Sequence, residues 1–264
     1  MNKAVVSFRY GRFLVLSSKL LVLSLLCASC GTSYNIRGTS DVPALDGRML
    51  YLKVYDDSGF KAIDSCDIVH GQFAFSGGID SARMATLFMD DSSIMPLVIE
   101  SGDILVTINS TEQRVSGTQY NEQLFDFMDS YRKLTNQLED LSHQQLQAIM
   151  NGEDEREVNR RLNVEVQRIA KDEDELVTTF ISDNFDNVLG PGVFFLMTAN
   201  TRYPVLQPWI EHLWSKATDA FKNDAYVRDY YEKAQQNEAI MNGTAVPDLP
   251  LPPAAPTPNE MAQP

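Results

Sequence analysis

The spacing of apolar residues changes near residue 117, and this change constrains the fold more than any other feature of the sequence. Between residues 34 and 115, apolar and polar residues alternate in short runs interrupted by turn residues, which is typical of half-buried β-strands. From Thr118 onward, apolar residues recur at intervals of three and four, which is typical of amphipathic helices. The sequence therefore predicts an α+β chain. An antiparallel β-domain, either a sandwich or a barrel-like sheet, should precede an α-helical domain.

About seven short antiparallel strands are expected in the β-domain. Within Met49–Tyr55, the alternation places Leu50, Leu52 and Val54 on one face, which should be the buried one. The dipeptide His70-Gly71 separates two apolar runs and is interpreted as a two-residue hairpin loop. Such loops need positive φ at both central residues, a conformation that histidine tolerates better than most residues other than glycine.

The helical region should begin with Thr118 as the N-cap, and Asn151-Gly152 should separate two long helices that pair as an antiparallel hairpin. One further helix is expected from Gly190 to Asn200, and one or two more between Trp209 and Met241. The apolar stripe of the first long helix is Leu124, Met128, Tyr131, Leu134, Leu138 and Leu141, and that of the second is Val158, Leu162, Val166, Ile169, Leu176 and Phe180.

The N-terminus has the pattern of a bacterial lipoprotein signal peptide that ends before Cys30. Four basic residues and no acidic ones precede or flank a short apolar run, Leu20–Leu26, which is below the roughly 20 residues needed to span a bilayer. Small residues, Ala28 and Ser29, come directly before Cys30, although Cys27 occupies a position where leucine is usual. We expect cleavage before Cys30 and attachment of fatty acyl chains, such as palmitate, to that residue.

The expected mature chain is strongly acidic. Removal of residues 1–29 takes away four bases and no acids, which moves the formal net charge from -14 to -18. Such a charge disfavours nucleic acid and anionic membrane surfaces as partners, because their phosphates would be repelled. Membrane attachment should therefore depend on the acyl chains at Cys30. Gly31-Thr32-Ser33 contains no aspartate that would favour retention in the inner membrane, and an outer-membrane position facing the periplasm is expected.

These patterns predict four segments in the chain. Residues 1–29 form the signal peptide, 30–116 the β-domain, 117–241 the helical domain and 242–264 a disordered tail that holds seven of the twelve prolines.

The order of several short motifs resembles a domain of unknown function that precedes a thioredoxin-like domain in lipoprotein thiol–disulfide reductases of Gram-negative bacteria. The resemblance covers nearly the whole mature chain. The motifs that carry it are Tyr34–Gly38, Asp46-Gly47 before Leu50–Leu52, Ile63–Ser65, Gly71–Gly77, Leu97–Gly102, Ser116–Thr118 with Asn121, and Phe180–Asn184.

The chain departs from this pattern at its C-terminal end. Residues 242–249 resemble the linker that leads into the redox domain, but a proline-rich segment follows and no position matches a catalytic cysteine pair. The resemblance therefore implies no redox residue here. It leaves two functions open, a binding or scaffolding module for a protein, peptide or envelope component, or an accessory that docks a separate thioredoxin-like oxidoreductase.

Catalytic motifs occur in the sequence but lack their usual context. Ser130 and Lys133 fit S-x-x-K, and Ser182–Asn184 fits S-D-N, yet no K-T-G strand follows them. The pair Cys66 and His70 lacks the further soft ligands of a zinc site.

The spacing Cys27-x-x-Cys30 lies in the signal peptide rather than at a strand-to-helix turn. We therefore predict no enzyme activity, no catalytic residues, no metal and no cofactor.

Overall fold

A computed structural model describes residues 32–56 and 59–245. The chain divides into two compact units, Met1–Asp126 and Phe127–Pro264. Cys30 and the tail from residue 246 lie outside the described residues, and so do the predictions made for them.

The first unit contains eight strands rather than about seven. They are β1 (Ser33–Ser40), β2 (Met49–Asp56), β3 (Gly59–Asp67), β4 (Gln72–Gly78), β5 (Arg83–Met89), β6 (Ser92–Ile99), β7 (Gly102–Ile108) and β8 (Gln113–Ser116), with a short 3₁₀ turn at Pro43–Leu45. They form two four-stranded sheets. Sheet 1 has the order β4-β1-β7-β8 and sheet 2 the order β3-β2-β5-β6. The α+β class is confirmed, and the β-domain is a two-sheet sandwich.

One strand pairing differs from the all-antiparallel expectation. β1 is antiparallel to β4 but parallel to β7, with Ile36 opposite Ile104. A parallel pair needs a long crossover connection, and here strands β2 to β6 supply it. The alternation of single strands could not reveal this pairing, because it depends on which distant strand becomes the neighbour.

The core lies between the two sheets. Leu50 and Leu52 of β2 are fully buried and Val54 packs against the same core, as predicted. Sheet 1 contributes Ile36, Phe75 and other inward-facing residues, which occupy alternate positions along its strands.

Gly38 of β1 serves this packing directly. A Cβ atom at residue 38 would lie 2.0 Å from the ring of Phe73, which sits opposite it on β4. Only glycine leaves room for that ring over the strand.

The predicted hairpin loop at His70-Gly71 is confirmed. His70 has φ 53° and Gly71 has φ 69°. The flanking residues Val69 and Gln72 exchange backbone hydrogen bonds of 2.9 and 3.0 Å. This geometry is that of a two-residue turn with positive φ at both central positions.

Six helices follow the sandwich among the described residues. They are α1 (Gln119–Met150), α2 (Glu155–Asp183), α3 (Leu189–Thr198), α4 (Pro208–Lys216), α5 (Asp219–Asn223) and α6 (Ala225–Met241). The break at Asn151-Gly152 is confirmed, with φ 86° at Gly152, and Asp154 caps α2 through hydrogen bonds from Arg156 and Glu157. Three helices rather than one or two occupy the segment from Trp209 to Met241.

One member of the predicted α2 stripe is wrong. Val166 is 37% exposed, whereas Val158 and Ile169 are buried, together with Val177 and Ile181 that the prediction omitted. The buried positions of α2 are separated by 11, 8 and 4 residues, which keeps them on one face of a helix with 3.6 residues per turn.

Aromatic rings fill the core of the second unit beyond the α1–α2 hairpin. Phe194 of α3 lies 5.8 Å from Phe221 and 5.4 Å from Tyr230, measured between ring centroids. The hydroxyl groups of Thr198 and Tyr226 lie 3.0 Å apart. These contacts pack α3, α5 and α6 against one another.

Candidate functional site

The first strand of the sandwich begins three residues after the predicted lipidation site at Cys30. The Ile79 N–H donates to the Thr32 carbonyl at 3.0 Å, and the Thr32 hydroxyl donates to the Ile79 carbonyl. β1 then starts at Ser33 as an inner strand of sheet 1. The polypeptide is thus tied into the sandwich immediately after the position where acyl chains are expected.

The start of α1 is held by a long-range contact rather than by local capping alone. Thr118 occupies the predicted N-cap position directly before Gln119, but its hydroxyl accepts from the Asn121 side chain at 2.8 Å. The Glu100 carboxylate accepts from the backbone N–H groups of Tyr120 and Asn121 at 2.9 and 3.2 Å. A negative charge at this position compensates the unpaired N–H groups of the first helical turn.

Asn121 also caps an edge strand. Its side chain is buried, accepts from the Val98 N–H at 2.8 Å and donates to the Val98 carbonyl at 2.7 Å. Val98 belongs to β6, the edge of sheet 2, and the amide therefore replaces the hydrogen bonds of a missing neighbouring strand. Together with Pro96, it makes this edge a poor template for an added strand.

The opposite edge of sheet 2 is protected in another way. β3 has a bulge between the positions that face Leu52 and Lys53, and the charged residues Lys61 and Asp64 flank it. Bulges and charges are common means of preventing edge-to-edge pairing. Strand addition at either edge of sheet 2 is therefore a poor binding mode for this protein.

Sheet 2 carries aromatic side chains on its outer face, the face away from the core. The rings of Tyr55 and Phe60 lie 5.4 Å apart, and Phe60 lies 4.9 Å from Phe88. The Lys53 ammonium group lies 4.2 Å from the Phe88 ring centroid. We call Tyr55, Phe60 and Phe88 with Lys53 the aromatic cluster. Edge-to-face rings beside a cation give a surface that is apolar but carries a charged group at its border.

The outer part of the helical hairpin exposes a second apolar surface. Leu146 is 58% exposed and Met150 77% exposed, and Ile149 lies between them on α1. Residues spaced by three and four positions share one face of a helix. We call Leu146, Ile149 and Met150 the hairpin patch.

The inward side of the same helix segment packs separately from the hairpin patch. Ala148 is buried, and the Gln145 side chain donates to Asn159 of α2 at 2.6 Å. The hairpin patch is therefore additional to the residues that join the two helices. The sequence prediction does not include the hairpin patch, because the apolar stripe that ends at Leu141 is sufficient to account for the buried face of the helix. The spacing of 146, 149 and 150 is the signal that could have revealed it.

Lys133 of the S-x-x-K motif and Asn184 of the S-D-N motif make contacts within and at the end of their helices. The Lys133 ammonium group pairs with Asp129 at 2.8 Å. Hydrogen bonds from Lys133 and Arg132 lower the pKa of the Asp129 carboxyl. Asn184 ends α2, donating to the Phe180 carbonyl at 2.8 Å and accepting from the Asn187 side chain at 2.8 Å.

Cys66 and His70 lie on different local structures. Cys66 is half-buried on the core side of β3, whereas His70 is exposed in the turn. Burial raises the pKa of the Cys66 thiol, a hydrogen bond from the Ala74 backbone lowers it, and the charge of Asp64 raises it again. Such a thiol is less readily ionised than a free one.

Within the described residues, 32–56 and 59–245, no three His, Cys, Asp or Glu side chains converge as metal ligands would. Each buried side-chain nitrogen or oxygen there has a hydrogen-bond partner.

Tyr131 is the most strongly perturbed titrating group of the α1–α2 hairpin. Burial, and then its hydrogen bond to the Glu173 carboxylate, raise its pKa to about 12. Its ring lies 6.2 Å from that of Phe127, which in turn lies 4.5 Å from Phe180. The hydroxyl therefore joins α1 to α2 at the edge of an aromatic contact.

Helices of the described part of the chain are too short or too polar to cross a bilayer. Residues 34–124 match the family model described as Domain of unknown function (DUF4369), whereas no curated protein matches the chain. The matched segment runs from β1 through Asn121 and thus includes the contacts that fix the start of α1. This part of the chain therefore carries a domain of unknown function.

Proposed function

We propose that this chain is a non-catalytic lipoprotein of the cell envelope that binds or scaffolds a protein partner through the hairpin patch. Acyl chains on Cys30 hold it on a membrane, in our proposal the outer membrane on its periplasmic side. Each methylene buried in the bilayer contributes about 0.8 kcal/mol, so two or more chains form a stable anchor without a spanning helix.

The observation that carries the binding function is the exposure of Leu146 and Met150. Two large apolar side chains, with Ile149 between them, face water on one side of α1. Contiguous apolar surface on a soluble protein commonly marks a contact site for another protein. Methionine suits such a surface because its flexible side chain adapts to the shape of a partner.

The acidic charge of the chain narrows the choice of partner. After cleavage before Cys30 the formal net charge is -18, which repels nucleic acid and disfavours adsorption on anionic polymers. An apolar stripe on a helix instead suits the apolar face of another helix or a hydrophobic groove. A polypeptide partner is therefore favoured over a polyanionic one.

The roles of Lys133 and Asn184 support a non-catalytic function. A lysine that activates a serine nucleophile must be available to accept its proton, whereas the Lys133 ammonium is paired with a carboxylate. Asn184 uses its amide to end a helix. These contacts favour structural roles for both residues.

Affinity capture from native envelope extract with matched variants tests the proposal. Leu146→Glu adds a charge within the hairpin patch, and Gln144→Glu adds the same charge two residues away on the exposed polar side of α1. We expect one partner of defined mass with the unsubstituted chain and with the control. Leu146→Glu should reduce its recovery by about tenfold or more, as for a central apolar contact.

Equal recovery with both variants would contradict the proposed surface. A captured thioredoxin-like oxidoreductase would identify the chain as an accessory of redox enzymes, and any other partner would identify a separate scaffold. Intact mass analysis of the native protein tests the anchor independently, since an unmodified thiol at Cys30 would contradict lipidation.

A further inference from the structure

The strand order places several connections at the end of the sandwich where β1 begins. Thr32 is bonded there to Ile79, which follows the last residue of β4. β7, parallel to β1, also begins at this end, with Gly102 opposite Tyr34. We call it the proximal end, because it is the end nearest to Cys30 along the chain.

Sheet 2 contributes the last residues of β2 and the first of β3 to the same end. β6 finishes at Ile99, just before the turn into β7, and Arg83 at the start of β5 pairs with Ile99. β2 runs antiparallel to β5, and therefore its C-terminal residues lie at the end where β5 begins. Tyr55 and Phe60 pair with each other across β2 and β3, close to this end.

Covalent geometry limits how far the proximal end can lie from the lipid anchor. Only Gly31 separates Cys30 from Thr32, and consecutive Cα atoms are about 3.8 Å apart, so these two Cα atoms lie within about 8 Å of each other. A chain acylated at Cys30 would therefore hold this end of the sandwich against the headgroups. No flexible linker of useful length intervenes.

The side chains at the proximal end suit that position. Tyr55 is 46% exposed and Phe60 44% exposed, although both rings are large and apolar. Aromatic side chains are favoured at the boundary between headgroups and acyl chains, where the ring is buried and a hydroxyl group stays hydrated. Lys53 lies on the same face of β2 as Tyr55, and its long side chain can extend toward lipid phosphates.

Two carboxylates at the proximal end are compensated within the protein. Glu100 accepts hydrogen bonds from the start of α1. Asp103 lies 3.2 Å from the Arg37 guanidinium group and accepts from the Asn35 amide at 2.8 Å. Asp56, which directly follows Tyr55, and Asp80 are both exposed, so zwitterionic headgroups suit this surface better than anionic ones.

We infer that Tyr55 and Phe60 insert into the headgroup boundary of the bilayer and orient the sandwich with its proximal end on the membrane. This inference rests on the proposed lipidation of Cys30. The contact through Tyr55 and Phe60 is a second membrane attachment besides the acyl chains at Cys30. Two attachments fix the orientation of the sandwich on the membrane. The partner surface is a lipid bilayer of low net charge.

Tryptophan substitution in the acylated full-length protein tests the inference. Phe60→Trp places the probe in the proposed contact, and Val69→Trp places it in the turn at the opposite end of the sandwich, at a residue that is also exposed. Trp209 and Trp214 contribute the same background fluorescence in both variants. The fluorescence of the unsubstituted protein measures this background and is subtracted. The vesicles are phosphatidylcholine brominated near the headgroup end of the acyl chains, which quenches indole fluorescence on contact.

We expect the added fluorescence of Phe60→Trp to be quenched at least about twofold more strongly than that of Val69→Trp, with a blue-shifted emission, because only the former reaches the boundary region. Equal quenching in protein that floats with the vesicles and carries acyl chains would overturn the orientation alone. Protein that lacks acyl chains by intact mass and does not float would overturn the lipidation and the orientation together.

Discussion

The β-sandwich and the outer part of the α1–α2 hairpin bury their apolar residues to very different degrees. Leu50, Leu52 and Ile104 are fully enclosed between the two sheets. In the outer hairpin, Ala148 and Val158 are buried, but Leu146 and Met150 face water. A two-helix hairpin has only one line of contact, so it cannot enclose side chains on its other faces.

This contrast separates residues that hold the fold from residues that can recognise a partner. Removing a side chain from the sandwich core should leave a cavity, whereas removing one from the hairpin patch should leave only a smaller exposed surface. If the two regions really differ in this way, substitutions of the same type will have unequal effects on stability.

The largest expected effect is that of Leu52→Ala. Leu52 is fully buried in β2, and large-to-small substitutions at such positions typically cost about 2–5 kcal/mol of unfolding free energy. Urea denaturation followed by circular dichroism at a β-sheet wavelength measures the change. A cost below about 1 kcal/mol would mean that the sandwich is loosely packed and that the contrast with the hairpin is absent.

Asn121→Ala should have the next largest effect. The substitution removes the side-chain amide that forms hydrogen bonds with both the N–H and the carbonyl group of Val98. An unsatisfied buried polar group costs about 1–3 kcal/mol, so we expect a loss of about 2–4 kcal/mol. Denaturation and amide hydrogen exchange at Val98 measure it.

The control for this variant is Asn163→Ala, an exposed asparagine of α2, which should change stability by less than about 0.5 kcal/mol. Equal costs at residues 121 and 163 would show that the Asn121 amide does not cap the edge of β6.

Features set by neighbouring residues could be predicted from the sequence. The buried face of β2 follows from alternation, the turn at His70-Gly71 from the φ values it demands, and the break at Gly152 from its place between two apolar stripes. In each case the physical cause lies within a few residues of the feature.

Features that depend on distant residues could not be predicted. The parallel pairing of β1 with β7 requires knowledge of strand order, and the capping of α1 by Glu100 requires that the turn after β6 lies beside the helix start. The exposure of Val166 has the same origin, since the path of the helix contact along α2 is set by α1. Leu146 and Met150 were overlooked because apolar residues on a helix are ordinarily taken as buried.

A smaller effect is expected for Glu173→Gln, measured on the ionisation of Tyr131. The carboxylate accepts a hydrogen bond from the tyrosine and repels its anion, so its removal should lower the tyrosine pKa from about 12 toward the ordinary value of 10.0. Burial, the larger cause, remains, and the pKa should stay above that value. NMR with labelled tyrosine, assigned through Tyr131→Phe, measures the shift.

The sign of the linked stability effect follows from the same shift. The folded state holds the Tyr131 proton more tightly than the unfolded state, so this contribution is complete below pH 10.0 and is lost as the pH rises toward about 12. Glu175→Gln, on an exposed residue of the same helix, is the control and should leave the tyrosine pKa unchanged. A Tyr131 pKa that responds equally to both variants would exclude a specific contact.

The smallest effect on stability, and the sharpest test of the contrast, is expected for Leu146→Ala. The side chain is 58% exposed and lies outside the contact between α1 and α2, so its truncation should change the unfolding free energy by no more than about 0.5 kcal/mol. Helix-sensitive circular dichroism during denaturation measures this, and the same variant in partner capture should bind more weakly than the unsubstituted chain. A stability cost comparable to that of Leu52→Ala would instead place Leu146 in the core of the hairpin. The hairpin patch would then not be a binding surface. Small loss of stability joined to large loss of binding is the combination that only a recognition surface produces.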